Sequence, residues 1–292
     1  MGASAIELAG GRHACLLLHG LAGSPLEVRF VAKLLHRAGF AVHIPVLPGY
    51  SMGERCTGWR AWVGEAERVF SSLRERYDSV CVAGLSSGAT LALALAQREP
   101  RVQALALWGV MLHYDGWAIP WYRGLFEPCY LLGIGRGYAY REREPFGLKN
   151  ERWRARVAEA MRSHDASTAG PALLPADFLY HSTRLGRHVA RRLASISCDT
   201  VVIHAADDET ASPRNADEVY QGIAARHKRR IMLGDSYHII TMDNERELVA
   251  RETIRFFQNS VLRSHPGMPV TLVSSSRALL RLQRRRAMQG GA

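Results

Sequence analysis

The 292-residue sequence is poor in lysine, in paired cysteine and in long apolar runs, and each shortage removes a class of protein. No apolar run approaches the roughly 20 residues needed to cross a bilayer. The opening stretch, MGASAIELAGGRHACLLLHG, lacks the basic start, apolar run and cleavage site of a secretory signal. Ile6 stands where a myristoylation signal needs Ser or Thr. Five cysteines (Cys15, Cys56, Cys81, Cys129, Cys198) are an odd number without CxxC spacing, which argues against a disulfide framework or structural zinc. Reduced thiols, several of them buried, are expected instead, in a soluble cytoplasmic protein.

Acidic residues are missing from one region. Lys plus Arg total 38 against 27 Asp plus Glu, a formal charge of +11, and only Lys33, Lys149 and Lys228 are lysine. The surplus is therefore almost all arginine and permanent. Residues 263–292 hold six Arg and no acid, so the first 262 carry only +5. With no basic stripe and no recognition motif on the body, no nucleic-acid partner is expected. In the extension, Ser274-Ser275-Ser276 could cap a helix over Arg277 to Met288, with Leu279, Leu280, Leu282 and Ala287 on one face and Arg277, Arg281, Arg284 and Arg285 largely opposite. Such a helix suits an anionic membrane surface or an acidic carrier protein; a solvated C-terminal extension is the plain alternative.

What is present is an ordinary apolar fraction, 47%, enough for a sizeable core. Short apolar runs alternate with amphipathic stretches, the pattern of an α/β protein with a mostly parallel, doubly wound sheet covered on both faces. Strands are expected at Ala14 to Leu18, Ala41 to Ile44, Ser79 to Ala83, Ala104 to Trp108, Thr200 to His204 and Arg230 to Leu233. Helices are expected at about Leu26 to Ala38, Trp59 to Tyr77, Ser87 to Arg98, Ser212 to Ala225 and Asn244 to Gln258. The alternation stops between His113 and Ser197, a stretch first aromatic and then Arg-rich. Some 85 residues do not form a structureless loop inside a compact domain. The expected organisation is a core of residues 1–112 and 198–262, an inserted helical lid over 113–197, and a basic extension over 263–292. Gly133-Ile134-Gly135-Arg136-Gly137 lacks the strand, helix and GK[ST] of a phosphate loop and reads as a turn.

The strongest local signal is Gly84-Leu85-Ser86-Ser87-Gly88, which directly follows an apolar strand and directly precedes a helix. A serine at such a turn is held in strained geometry with its hydroxyl exposed, and the flanking glycines leave no Cβ to collide with the backbone. Spacing selects Ser86 as nucleophile. A second strand ends in His19-Gly20-Leu21-Ala22-Gly23. Acyl transfer needs N–H donors aimed at the developing oxyanion, which nominates the backbone amides of Leu21 and Ser87. His19, before a glycine at a strand end, reads as a loop-shaping residue rather than the base.

A hydroxyl attacks only when a base takes its proton, and the base needs an anion to hold its tautomer. His238 lies in a loop after the last expected strand, at the sheet edge where catalytic groups gather. The acid should follow Val201-Val202-Ile203, which offers Asp207 and Asp208. The residues alone leave both open.

With these positions in place, the chain resembles the α/β-hydrolases, and more narrowly the bacterial carboxylesterase and monoacylglycerol lipase group. The segment LLLHGLAGSPLEVRFVAKLLHRAGFAVHIPVLPGYS is similar to that group's first strand, oxyanion loop, helix and second strand; GLSSG is similar to its nucleophile elbow; HAADDETASP and DSYHIITMD are similar to its acid and histidine loops. The resemblance covers roughly residues 12 to 260 and is weakest in the insertion, whose HYDGWAIPWYRG does not match compact esterase lids. It places the acid at Asp208 and implies a Ser86, Asp208, His238 triad with Leu21 and Ser87 as oxyanion donors.

The implied function is hydrolysis of a small-molecule acyl ester through an acyl-enzyme, with no metal or cofactor required. His238 is expected to titrate near 6 to 7. Two other readings are an acyl thioesterase acting on acyl-CoA or acyl-carrier protein, and a ligand-binding relative without turnover.

Overall fold

Runs such as Cys15-Leu16-Leu17-Leu18 have no polar break, so a strand built from them must be covered on both faces. The computed structural model, which describes residues 4–162, 170 and 172–267, covers it in that way. In chain order the elements are β1 (Ile6–Leu8), β2 (His13–Leu18), α1 (Arg29–Arg37), β3 (Ala41–Ile44), α2 (Trp59–Arg76), β4 (Ser79–Leu85), α3 (Ser87–Arg98) and β5 (Ala104–Trp108). There follow α4 (Phe126–Leu131), β6 (Ala139–Arg141), α5 (Glu151–Arg162), β7 (Leu173–Pro175) and α6 (Ala176–Ala190). The chain then resumes its alternation with β8 (Asp199–Ala205), α7 (Arg214–Gly222), β9 (Lys228–Leu233) and α8 (Arg246–Ser264).

Among the described residues, seven strands form one sheet in the order β1-β3-β2-β4-β5-β8-β9, parallel throughout except for β1, which runs antiparallel to β3. All six expected strands are present. β1 was not expected: it has three residues, too few to show a period, and it pairs with β3 alone among the described residues. From β2 the chain moves outward to β3 and then returns to the other side at β4. The connections therefore diverge between β2 and β4, and a crevice opens at their carboxyl ends.

Side-chain alternation divides the core. Leu16, Leu18, Val80 and Val82 point into one cluster, completed by Trp62, Phe70, Leu91 and Leu95 from α2 and α3. Cys15, Leu17, Cys81 and Ala83 point into the other, closed by Val31 and Leu35 of α1 and Ile254 and Phe257 of α8. All five cysteines are free, with Cys15 and Cys81 buried as register partners on β2 and β4.

Several boundaries differ from the expected ones for local reasons. The segment before α1 opens as a 3-10 turn over Pro25–Val28, with the Ser24 hydroxyl accepting from the Leu26 amide. α7 is shorter than expected, Arg214–Gly222, and α8 runs on to Ser264 because Ser260 and Val261 are still buried. Within residues 113–197, β6 and β7 pair as an antiparallel ladder, and α6 packs against α3, burying Leu185 and Val189 in the first cluster. Gly186 lets α6 also come close to the chain that follows β5: a Cβ there would fall 2.2 Å from the Leu112 carbonyl oxygen. The last helix of the expected insertion is thus part of the layer that covers the sheet. The proposed helix over Arg277 to Met288 lies outside the described residues. Among the described residues no helix is long and apolar enough to cross a membrane.

Candidate active site

β4 ends at Leu85 and the chain reverses into α3 through Ser86, whose φ of 57° and ψ of −121° are rarely adopted by a residue with a side chain. Strain of this kind costs about 1–3 kcal/mol and persists only where the surroundings enforce it. Here the Ser86 amide donates to the Trp108 carbonyl at 2.8 Å, anchoring the turn to β5. Two glycines make room. A Cβ on Gly84 would lie 2.2 Å from the Gly88 oxygen, and one on Gly88 would lie 2.3 Å from the His19 oxygen.

The Ser86 hydroxyl donates to His238 Nε2 at 2.7 Å. His238 Nδ1–H in turn donates to Asp208, at 2.8 Å to Oδ2 and 3.0 Å to Oδ1. Asp208 is buried, and its Oδ1 also accepts from the amides of Thr210 (2.9 Å) and Ala211 (2.8 Å). His204 Nε2–H donates to the Ala211 carbonyl at 2.8 Å and lies 3.3 Å from Asp208 Oδ2, so a neutral imidazole closes the far side of the carboxylate. Burial alone would raise the Asp208 carboxyl, but the adjoining His238, helped by His204 and the Ala211 amide, holds it below the usual value. Asp207 points elsewhere: it is exposed, and its Oδ2 pairs with Lys149 Nζ at 3.2 Å.

His238 departs from the expected 6 to 7. Burial pushes it down, yet Asp208, Glu209 and Glu142 together raise it to about 9. Glu209 Oε2 accepts from the His238 backbone amide at 3.1 Å. Burial first, and Asp208 beside it, hold the Glu209 carboxyl above its ordinary value against the pull of His238. Glu142 is raised to about 7 by burial and by Glu209, with His238 opposing. Its carboxylate has no hydrogen bond or ion pair among the described residues, and it lines the same pocket as Ser86 and His238.

The loop after β2 is held from several sides. His19 Nδ1–H donates to the Gly20 carbonyl at 2.8 Å, its Nε2 accepts from Ser51 Oγ at 2.9 Å, and the Tyr50 hydroxyl donates to the His19 carbonyl at 2.9 Å. Burial lowers His19 to about 4, so it is neutral and shapes the loop. The Gly20 amide donates to Glu27 Oε2 at 2.7 Å and the Ala22 amide to the Tyr50 carbonyl at 3.1 Å. Between them, the Leu21 amide has no acceptor among the described residues, nor does that of Ser87, at the positive end of α3.

The structure therefore brings Ser86, Asp208 and His238 into one hydrogen-bonded line beside Leu21 and Ser87. Sequence reasoning missed Glu27, Glu142, Glu209 and His204. Glu142 sits in Arg141-Glu142-Arg143-Glu144, which reads as a solvated charge run, and Glu27 reads as an acid in a helix's first turn. Glu209 had only its place beside Asp208 to announce it.

The family model described as serine aminopeptidase, S33, matches residues 10–245. The chain is 28% identical over 246 residues to the thermostable monoacylglycerol lipase of Bacillus sp. strain H-257, covering 83% of this chain and 89% of that one. It is 25% identical over 253 residues to the carboxylesterase of Bacillus subtilis strain 168, covering 85% and 94%. Among solved structures, a soluble variant of monoglyceride lipase from Saccharomyces cerevisiae, in complex with a substrate analogue, superposes with a TM-score of 0.73 at 13% identity over 88% of this chain and 90% of that one. That likeness is one of fold, the α/β-hydrolase fold.

Proposed function

Because the chain belongs to the serine aminopeptidase S33 family of hydrolases, we propose that it cleaves carboxylic esters of small alcohols, of the monoacylglycerol type, through an acyl-enzyme on Ser86. The observation that carries this reading is the line from Ser86 Oγ through His238 to buried Asp208, with donor distances of 2.7 and 2.8 Å.

His238 takes the Ser86 proton at Nε2 as Oγ attacks the ester carbonyl. The tetrahedral oxyanion is held by the amides of Leu21 and Ser87, which have no other acceptor to give up. His238 then gives its proton to the departing alkoxide. A water deprotonated at the same Nε2 attacks the acyl-enzyme, and collapse of that second intermediate returns the proton to Ser86 and releases the acid. Asp208 keeps Nδ1 protonated and steadies the imidazolium.

The pocket supports an ester with an apolar acyl group and a polar alcohol. Leu85, Met111, Phe146, Leu174 and Ile239 form apolar walls, while Glu142 and Glu209 offer acceptors for alcohol hydroxyls. Tyr114, Glu142, Phe146, Gly147, Gly170 and Leu174 all come from the part of the insertion between β5 and α6, which we read as a lid over the crevice of the core. Both curated relatives carry lipase or esterase names, which favours esters over amides and gives the thioesterase reading no support. The complete relay speaks against a role without turnover.

The test is hydrolysis of short- and medium-chain monoacylglycerols by full-length protein and its Ser86→Ala variant, with matched acyl thioesters alongside. Turnover that disappears in the variant, together with labelling of Ser86 by a fluorophosphonate, is expected. An S86A protein with undiminished turnover overturns the mechanism, and a preference for thioesters overturns the substrate class.

A further inference from the structure

On the outside of α2 and α6, away from the catalytic pocket, Trp59, Arg60, Arg184, Arg187, His188 and Arg191 line a cleft of about 310 Å3. No residue is shared with the pocket that holds Ser86. The charges in the cleft do not balance. Arg184 and Arg187 share a single carboxylate, Glu127 of α4, which is 3.8 Å from Arg184 and hydrogen-bonded to Arg187. The guanidinium groups of Arg60 and Arg191 have no ion pair or hydrogen bond among the described residues.

Arg60 lies over the Trp59 ring at 4.6 Å and the His188 ring packs against it at 4.7 Å, so Trp59, 8% exposed, is already occupied by its neighbours. Burial lowers His188, and the neighbouring Arg192, Arg60, Arg98 and Arg191 lower it further. His188 is therefore neutral and adds N–H donor capacity to the cleft. Four guanidiniums facing one carboxylate repel one another, and a bound anion removes that repulsion.

We propose that this cleft is a binding site for a phosphate-bearing anion, held by Arg60 and Arg191 with Arg184 and Arg187 completing the cradle. Guanidinium and phosphate match in a planar, bidentate geometry, and tetrahedral phosphate has enough oxygens for several arginines at once, where one carboxylate saturates a single fork. The covered indole offers no open face for stacking a nucleobase, so the recognised feature is the phosphate group. Two sources supply it, a small soluble phosphate or the headgroup of an anionic phospholipid, and the same arginines serve both.

The experiment uses full-length protein, its Arg60→Gln/Arg191→Gln double variant and an Arg214→Gln/Arg226→Gln control with the same loss of charge at exposed positions outside the cleft. Calorimetric titration with inorganic pyrophosphate reads the soluble arm. Sedimentation with phosphatidylcholine vesicles, with and without phosphatidylglycerol, reads the lipid arm. Unchanged ester hydrolysis in all three proteins checks their folding. Binding in at least one arm that falls about tenfold or more in R60Q/R191Q, and by less than about twofold in the control, is the expected result. Binding in neither arm, or equal losses in the two variants, overturns the proposal.

Discussion

The backbone amide of Gly20 donates to the Glu27 carboxylate at 2.7 Å, so a side chain seven residues on closes the loop that presents the Leu21 amide. Glu27 is 4% exposed, and burial raises it to about 7 against the pull of the Gly20 and Ser24 amides. Glu27→Ala leaves a buried amide unpaired and should cost about 1–3 kcal/mol. It should also lower kcat more than it raises KM, since the loop acts on the transition state. Glu27→Gln keeps an acceptor and should recover most of both. Urea denaturation and steady-state kinetics on the pair check this.

The two adjacent aspartates should separate sharply. Asp208→Asn removes the anion that holds His238 in its tautomer and should lower kcat by about a thousandfold or more. Asp207→Asn breaks only an exposed contact with Lys149 and should stay within about twofold of the parent in both kcat and stability. Parallel kinetics on the two variants decide the matter.

Activity should rise on the alkaline side of neutrality. His238 works as a base only when neutral, and its surroundings raise it to about 9, so kcat/KM should climb with pH through that value. Removing either neighbouring negative charge, by Glu142→Gln or Glu209→Gln, should move the limb to lower pH. In stability, both groups contribute less as pH rises. His238, raised from 6.5, stabilises the fold fully below about 6.5 and loses that contribution as pH rises through about 9. Glu142, raised from 4.5 to about 7, favours the fold while protonated, so its ionisation costs stability as pH rises through 7. E142Q should therefore exceed the parent by about 3 kcal/mol at pH 8 and match it near pH 4.5. A pH series of rates and of melting temperatures measures both.

The elbow should tolerate nothing at position 88. Gly88→Ala places a Cβ 2.3 Å from the His19 oxygen and 2.4 Å from the Leu18 oxygen, both backbone atoms of β2 and its loop, which have no room to yield. A loss of about 3 kcal/mol or more is expected, with activity falling alongside it. Gly53, with open space around its Cβ position but a φ of 82°, should lose only about 1 kcal/mol when changed to Ala. Thermal denaturation of the two variants tests the contrast.

Local pattern was enough for much of this protein. Short apolar runs gave away six strands, most plainly β2, β4 and β5, whose burial on both faces leaves little room for a polar position in the run. GLSSG between a strand and a helix pointed to the strained turn at Ser86, where a Cβ on Gly84 or Gly88 would meet backbone. The order of Ser86, an acid and His238 was likewise visible in one dimension. Tertiary structure decided what depends on sums over distant parts. Asp207 and Asp208 are neighbours in sequence, and only packing turns one toward His238 and the other toward Lys149. Three carboxylates from two loops far apart in the chain, Asp208 and Glu209 in one and Glu142 in the other, set the proton affinity of His238, because electrostatic energy adds over space regardless of chain order. The arginine cleft arises in the same way: Arg60 on α2 and Arg184 and Arg187 on α6, with Arg191 just past its end, are far apart in the chain, and the packing of the two helices brings their charges together.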